Sequence, residues 1–238
     1  MGTVINNTGK TAEEIRANEV RIRADFGIVT PLINTYNPDK HLSEEKLMSK
    51  GRMEAFSDGV LAIIITIMVL ELEAPEKATL DALQPLIPTF LSYILSFIYL
   101  AIYWNNHHHL LQAVERVDGR VLWANMHLLF WLSLIPFVTA WMGKNDFASW
   151  PVAVYGFILV MAAVAYFILV RALIAVHGLD SKLALAVQQD FKGKISVVLY
   201  VIAIPLAFVN RWLAGGLYVL VAIIWLVPDR RIENVMKK

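Results

Sequence analysis

Residues 52–72 read RMEAFSDGVLAIIITIMVLEL, and the interpretation of the whole chain depends on this stretch. Its uninterrupted apolar run covers residues 59–70 and holds a single side-chain hydroxyl, that of Thr66. The charged side chains around this run are Arg52, Glu54, Asp58 and Glu71. A charge on a lipid-facing helix costs about 2.5–3.5 kcal/mol at the membrane centre and less near the surface. We therefore expect a membrane-spanning helix that lies inside an assembly, against protein or water.

The composition of the whole chain is that of a membrane protein. Of 238 residues, 58% are hydrophobic and 17% are charged, and the mean hydropathy is +0.56. Soluble domains have about 45–50% apolar and about 25% charged residues, so a soluble enzyme is excluded. The net charge of +1 gives no field that would recruit nucleic acid. Because the sequence has no cysteine, disulfides, thiolate metal sites and thiol catalysis are excluded too.

Six apolar stretches of spanning or near-spanning length follow a polar N-terminal segment. A span needs about 20 helical residues to cross a hydrocarbon core of roughly 30 Å. The sequence predicts an all-α integral membrane protein with a cytoplasmic tail at residues 1–50, a six-helix domain at residues 51–228 and a second tail at residues 229–238. We expect Gly215 and Gly216 to separate the last two spans. The predicted spans are residues 52–72, 88–111, 121–141, 152–176, 195–211 and 216–227.

The distribution of basic residues predicts the orientation. With a cytoplasmic N-terminus, 14 of the 21 Lys and Arg residues lie in or beside the inner loops and ends. Only Lys77, Lys144 and Arg211 lie on the outer side, and the remaining four lie far out in the N-terminal tail. Because cytoplasmic loops carry the excess of basic residues, an even number of spans and two cytoplasmic termini are expected. We expect a multi-pass protein of the inner cell membrane.

The residues of the first span divide into two faces. At about 100° per residue, one stripe gathers Arg52, Phe56, Gly59, Ile63, Thr66, Ile67 and Leu70. Asp58 falls on the opposite side, where its carboxylate needs a partner. Ordinary helix packing explains such a stripe, and so does the lining of a pore with hydrophobic constrictions. Composition does not separate these two explanations.

Several short motifs resemble one known family. The run RMEAFSDG at residues 52–59, with its continuation at residues 60–71, resembles the first-helix signature of prokaryotic relatives of the lysosomal potassium channel, the transmembrane-protein-175 family. The run LSLIPF at residues 132–137 and the Trp-Asn-x-His pattern at residues 104–107 are similar to the same family. The resemblance covers residues 51–228 and leaves the first fifty residues unexplained.

The resemblance implies a potassium-selective, leak-like cation channel. Its members are homotetramers of six-helix subunits in the lipid bilayer, with a central pore lined by the first helix of each subunit. They lack a TVGYG filter, as this sequence does. Carried onto this chain, the resemblance implies that Ile63 is the narrow hydrophobic constriction and Thr66 the hydroxyl layer for potassium preference. Ile67 and Leu70 then complete the apolar column, potassium is the permeant ion, and no cofactor or metal site is expected. The residues of the signature itself are Arg52, Phe56, Ser57, Asp58 and Gly59.

Histidines near the inner ends of the second and third spans offer partners for the signature. Three of them are consecutive, and side chains at about 100° steps point apart, which disfavours a metal site. We expect one of His107, His108 and His109, or else His127, to bond to Ser57 or Asp58. Such a network would hold the first helix upright, with Arg52 and Asp58 as its charged ends.

Two other function classes stay open on the residues alone. An intramembrane His–Asp pair is also typical of proton relays, so a proton-coupled secondary transporter using Asp58 and the membrane histidines is the main alternative. Against it, the sequence shows no inverted repeat and no matching pair of Gly/Pro-broken spans. An integral membrane enzyme is disfavoured because no nucleophile–base constellation or metal-ligand spacing recurs. Ion flux down a gradient without a counter-substrate distinguishes a channel from a coupled carrier.

Overall fold

The computed structural model describes residues 38–181, 183–184 and 191–226, with side chains from Lys50 onward. The chain divides into residues 1–41 and residues 42–238, and the second unit holds the bundle described below. Most of the expected N-terminal tail and all of the C-terminal one lie outside the described residues. The first helix already begins at Pro38, so the last part of the expected N-terminal tail is helical.

Within these described ranges every regular element is helical. The helices are α1 (Pro38–Leu70), α2 (Ile87–Gln112), α3 (Gly119–Ser133), α4 (Ile135–Lys144), α5 (Ser149–His177), α6 (Phe191–Val209) and α7 (Arg211–Leu226), and a 3-10 helix (Leu80–Leu86) precedes α2. The segments long and apolar enough to cross a membrane are Lys50–Leu70, Leu80–Gln112, Gly119–Lys144, Ser149–His177 and Phe191–Val209. The apolar helix α7 has 16 residues and corresponds to the short sixth span. The predicted all-α fold with six helical segments is confirmed.

The third span is built from two helices, α3 and α4, which meet at Leu134. Pro136 explains this break, because proline lacks an N–H and its ring clashes with the carbonyl four residues earlier. The proline lies in the first turn of α4, where an N–H would have no helical partner. Pro205, by contrast, lies inside α6 without ending it.

The boundary between the last two helices differs from the prediction. The chain breaks at Asn210, whereas Gly215 and Gly216 lie inside α7. The side-chain oxygen of Asn210 accepts hydrogen bonds from the backbone N–H of Trp212 at 3.0 Å and of Leu213 at 3.3 Å. This cap satisfies two donors that the start of a helix leaves free. Glycine is common in membrane helices, so the glycine pair alone does not end this one.

Hydroxyl side chains connect the helices at the centre of the bundle. The Tyr99 hydroxyl donates to the carbonyl oxygen of Tyr218 at 2.6 Å, which joins α2 to α7. The Ser96 oxygen lies 2.6 Å from the Thr139 hydroxyl on α4 and 3.1 Å from the Tyr155 hydroxyl on α5. All five residues are buried. Because these buried hydroxyls have partners, the bundle avoids the cost of desolvated polar groups.

Helix α1 lies at the side of this bundle. Its backbone approaches the other helices at few points, whereas α2 to α7 pack closely among themselves. Its buried residues recur every three or four positions, which is the period of one helix face. They are Met53, Ser57, Leu61, Ile64 and Met68. The opposite face of α1 is exposed in the single chain.

Candidate pore-lining face and inner polar network

The exposed face of α1 carries the stripe that helical arithmetic assigned to one side of the first span. Its members, all exposed, are Arg52, Phe56, Gly59, Ile63, Thr66, Ile67 and Leu70. Ile63 is 59% exposed and Leu70 is 79% exposed. A contiguous apolar surface of this kind marks a place where lipid or another protein surface packs. The stripe is therefore free to contact such a surface, and the described part of the chain does not cover it.

Thr66 is the only polar side chain on α1 between Gly59 and Leu70. Its hydroxyl donates a hydrogen bond to the carbonyl oxygen of Ile63 at 2.8 Å. This bond uses the hydroxyl proton, and the oxygen keeps lone pairs that can accept a donor or contact a cation. The exposed stripe thus presents one oxygen acceptor within an apolar column.

A buried chain of hydrogen bonds joins α1, at Ser57, to α3 and α2. The Ser57 hydroxyl donates to the carbonyl oxygen of Met53 at 2.8 Å and accepts from the Asn125 side-chain amide at 2.9 Å. The oxygen of the same amide lies 2.8 Å from Nε2 of His107. Ser57, Asn125 and His107 are at most 2% exposed. Because the Asn125 oxygen can only accept, Nε2 of His107 carries the proton in this bond.

The two acidic side chains of α1 near this chain bond to α2. The indole N–H of Trp104 donates to Oδ1 of Asp58 at 3.0 Å. Nδ1 of His108 lies 3.3 Å from Oε1 of Glu54. The rings of Trp104 and His108 stack, with centroids 5.7 Å apart and an interplanar angle of 13°. Two neighbouring turns of α2 therefore hold two successive carboxylates of α1.

The hydrogen bonds around α1 differ from several of the expected contacts. His107 does connect to Ser57, but through Asn125 rather than directly. Asp58 bonds to Trp104 and makes no ion pair with Arg52, which is exposed; six positions apart on a helix, the two side chains point in different directions. His127 does not join the network, since its Nε2 accepts from the Trp131 indole within α3 at 2.9 Å.

Two residues of this arrangement escaped the sequence reasoning, Asn125 and Lys144. Asn125 is an amide inside an apolar span, and such a residue usually faces the protein interior and finds a partner there. Lys144 bonds to Glu71 at 2.9 Å and lies 3.6 Å from Glu73, which fastens the C-terminal end of α1 to α4. Within the described ranges no group of three or more His, Cys, Asp or Glu side chains is placed to hold a metal ion.

Comparison with protein sequences relates the chain to a set of channels. The sequence pattern of the family described as "Endosomal/lysosomal potassium channel TMEM175" matches residues 52–136. A potassium channel of Chryseobacterium sp. is 57% identical over 191 residues, which are 80% of this chain and 100% of that protein. A potassium channel of Chamaesiphon minutus is 30% identical over 191 residues, which are 73% of this chain and 91% of that protein.

Solved structures and animal sequences relate the chain to TMEM175 proteins as well. The crystal structure of a lysosomal potassium-selective channel TMEM175 homolog from Chamaesiphon minutus superposes with a TM-score of 0.66 at 29% sequence identity, covering 76% of this chain and 97% of that one. The endosomal/lysosomal proton channel TMEM175 of Danio rerio is 27% identical over 135 residues, which are 55% of this chain and 25% of that protein.

Proposed function

Since the chain belongs to the TMEM175 family of multi-pass membrane proteins, we propose that it is a potassium-selective channel of the inner cell membrane, with a pore on the axis of a homotetramer. The observation that carries this proposal is the exposed stripe of α1. The opposite face of the helix is packed and hydrogen-bonded to its own subunit. Four copies around one axis would bring four such stripes together.

The stripe could instead face lipid, but the charged residue at its inner end argues against that alternative. Arg52 is an exposed member of the stripe. In lipid its charge would be costly, whereas beside an aqueous axis it stays hydrated. The charged inner end therefore favours a water-filled axis.

Ile63 supplies the constriction in this proposal. It is a β-branched apolar side chain, more than half exposed, and four copies facing an axis would exclude water at that level. Hydrophobic constrictions close channels because water leaves a narrow apolar neck and an ion cannot shed its hydration shell there. Ile67 and Leu70 extend the apolar column towards the outer end.

Thr66 supplies the selectivity layer. It lies three residues beyond Ile63, about 4.5 Å along the axis at a rise of ~1.5 Å per residue. With its proton bonded to the Ile63 carbonyl, each hydroxyl oxygen has its free lone pairs to offer to an ion. Four such oxygens form the single place on the apolar column that can replace water around potassium.

The potassium channels of the two bacteria named above support potassium as the permeant ion. Conduction of protons is the second candidate, because the zebrafish relative is a proton channel. A relay or coupled transporter based on Asp58 has less support, because Asp58 bonds to Trp104 and hydrogen-bonds to neither His107 nor His127. The orientation with both termini in the cytoplasm is part of the proposal and follows from the basic residues of the loops.

Recording from the purified protein in planar bilayers tests the proposal. With potassium on one side and sodium on the other, we expect currents that need no counter-substrate and a reversal potential displaced towards the potassium equilibrium potential. Currents carried by protons alone, or transport that requires a coupled ion, would overturn it. Cross-linking followed by mass measurement tests the assembly, and four subunits are expected; a protein that stays monomeric would contradict a shared axis.

A further inference from the structure

A groove of about 730 Å³ lies between α3 and α5, away from α1. Its lining combines a basic and an acidic side chain with aromatic rings and apolar side chains; the principal residues are Asp118, Arg120, Trp123, His127, Ile168 and Ala172. The groove is wide open rather than enclosed. None of its lining residues belongs to the exposed stripe of α1 or to the buried hydrogen-bond chain of Ser57, Asn125 and His107.

The polar residues of the groove follow one face of α3. Arg120, Trp123 and His127 are three and four positions apart, so their side chains stand one above another. Arg120 lies in the first turn of the span Gly119–Lys144, at the membrane boundary. His127 lies about 10 Å deeper, at a rise of ~1.5 Å per residue. The groove thus has a charged end at the membrane surface and one polar ring below it.

The hydrogen bond to His127 determines which of its ring nitrogens carries the proton. The Trp131 indole can only donate, and it donates to Nε2 of His127 at 2.9 Å. In the neutral ring the proton is therefore on Nδ1, and no group in the described part of the chain accepts it. A donor at this depth needs an acceptor from the membrane, since an unpaired polar group in hydrocarbon is costly.

The arginine at the mouth keeps donors available as well. Nε of Arg120 donates to Oδ2 of Asp118 at 3.1 Å, and the other carboxylate oxygen accepts from the backbone N–H of Val121 at 2.9 Å. The hydrogen bond from the Val121 N–H lowers the pKa of Asp118, and the Arg120 guanidinium lowers it further. The carboxylate is therefore ionised and holds the arginine in place. The terminal NH₂ groups of Arg120, whose side chain is 81% exposed, have no partner among the described residues. Guanidinium groups recognise phosphate through such donors.

We propose that this groove is a binding site for a glycerophospholipid. The lipid phosphate binds the terminal NH₂ groups of Arg120, and an ester carbonyl accepts from Nδ1 of His127. An acyl chain lies along Ile168 and Ala172, and the 79%-exposed Trp123 ring covers the glycerol region. Tryptophan at that depth is typical of the membrane interface. The site needs only a membrane-spanning chain and does not depend on which ion the pore conducts.

Native mass spectrometry of the delipidated protein with added phosphatidylglycerol tests the site. We expect Arg120→Gln to weaken binding of the added phosphatidylglycerol about tenfold, as the loss of one charge-assisted contact predicts. Ile168→Trp keeps every polar group but fills the groove, and this variant should not bind the lipid. Arg171→Gln is the matched control, since Arg171 is an exposed arginine of α5 that lies 5.8 Å from the Phe167 ring centroid and does not line the groove. Equal retention by Arg120→Gln and Arg171→Gln would overturn the proposal.

Two further arms identify the occupant. Diacylglycerol, which lacks the phosphate, and inorganic phosphate, which lacks the chains, should both compete poorly with phosphatidylglycerol; strong competition by either would contradict a site that needs both parts. A photo-reactive phenylalanine at position 123 should give an adduct of lipid mass. An adduct of subunit mass would show that a second copy of the chain covers the groove, and this too would overturn the proposal.

Discussion

The indole N–H of Trp104 on α2 donates to the Asp58 carboxylate on α1 at 3.0 Å. This bond satisfies a charge that lies on the side of α1 opposite the exposed stripe. The same tryptophan stacks on His108, which contacts the next carboxylate of α1 towards the N-terminus, that of Glu54. One aromatic pair therefore fixes the rotation of α1 about its own axis, and with it the direction in which the stripe faces.

Replacement of Trp104 by phenylalanine should destabilise the subunit through Asp58. The ring stays, but the carboxylate loses its donor, and the loss of a hydrogen bond to a charged group costs about 1.5–3 kcal/mol, less where water reaches it. Thermal unfolding in detergent measures the effect. Trp225→Phe is the control, because it removes an indole bond of 2.9 Å to the neutral Ser196 hydroxyl and should cost less. Equal losses in both variants would contradict a special role for the charge.

Replacement of Asn125 by leucine should leave Ser57 and His107 without their shared partner. A buried polar group without a hydrogen bond costs about 1–3 kcal/mol, so this variant should be clearly less stable than the parent. A double-mutant cycle with Ser57→Ala isolates the bond of 2.9 Å between the two residues. We expect the double variant to lose less stability than the sum of the single ones. Additive losses would show that the two side chains do not act together.

Replacement of Ile63 by asparagine should raise the leak current. Four amide groups at the constriction would stabilise water there and remove the barrier that the methyl groups impose on a hydrated ion. Bilayer recordings without any activating stimulus measure this leak. Ile223→Asn on α7, at a residue of similar exposure, is the control and should leave the current unchanged. A parent-like closed current in Ile63→Asn would place the constriction elsewhere.

Replacement of Thr66 by alanine or valine should reduce the preference for potassium over sodium while conduction survives. Both changes remove the oxygen, and valine keeps the shape of the side chain, so it should disturb packing least. Reversal potentials under bi-ionic conditions measure the preference. Ser133→Ala is the control, because Ser133 is an exposed hydroxyl with the same type of backbone bond, to Phe130 at 2.7 Å. Reversal potentials that do not change in either Thr66 variant would show that selectivity arises elsewhere.

Replacement of Gly143 by alanine should destabilise the contact between α4 and α2. A Cβ at this position would lie 2.5 Å from Cα of Thr89 and 2.6 Å from the Ser92 hydroxyl, so the helices would have to move apart. Overpacking of this kind costs about 1–3 kcal/mol. Gly216→Ala is the matched control, since nothing lies within 4 Å of the added atom and the variant should be as stable as the parent or more so. Thermal unfolding of the two variants compares them directly, and equal stability would contradict the close approach.

The stripe on α1 could be predicted from sequence because it depends on one local period. The positions of Ile63 and Thr66 on a helix fix their common face, whatever the rest of the chain does. The partners on the opposite face depend on how three helices pack. Ser57 and Asn125 are 68 positions apart, and no local pattern relates them. Trp104 and His107 lie three positions apart on α2, so their side chains point in similar directions, and the rotation of α2 decides which of them reaches Asp58.

The ends of the helices are also hard to predict from a local pattern. Gly215 and Gly216 predicted a break, but the backbone donors at the start of α7 are capped five residues earlier, by Asn210. The sequence contains both signals, and their relative strength depends on the surroundings, since glycine ends helices less readily in a membrane than in water. The sequence likewise predicted only that Lys144 is a cation on the outer side. Its bonds to Glu71 and Glu73 depend on where α4 ends.

The bond between Lys144 and Glu71 has a mechanical consequence. It holds the C-terminal end of α1, and the bond between Trp104 and Asp58 holds a point well inside the helix, so the segment between them can be compared to a beam held at both ends. About 20 Å of helix separates the clamps, at a rise of ~1.5 Å per residue. Sliding of α1 along its axis would break both bonds at once, whereas bowing between them breaks neither. The deflection of such a beam is largest near its middle, which is where Ile63, Thr66 and Ile67 lie.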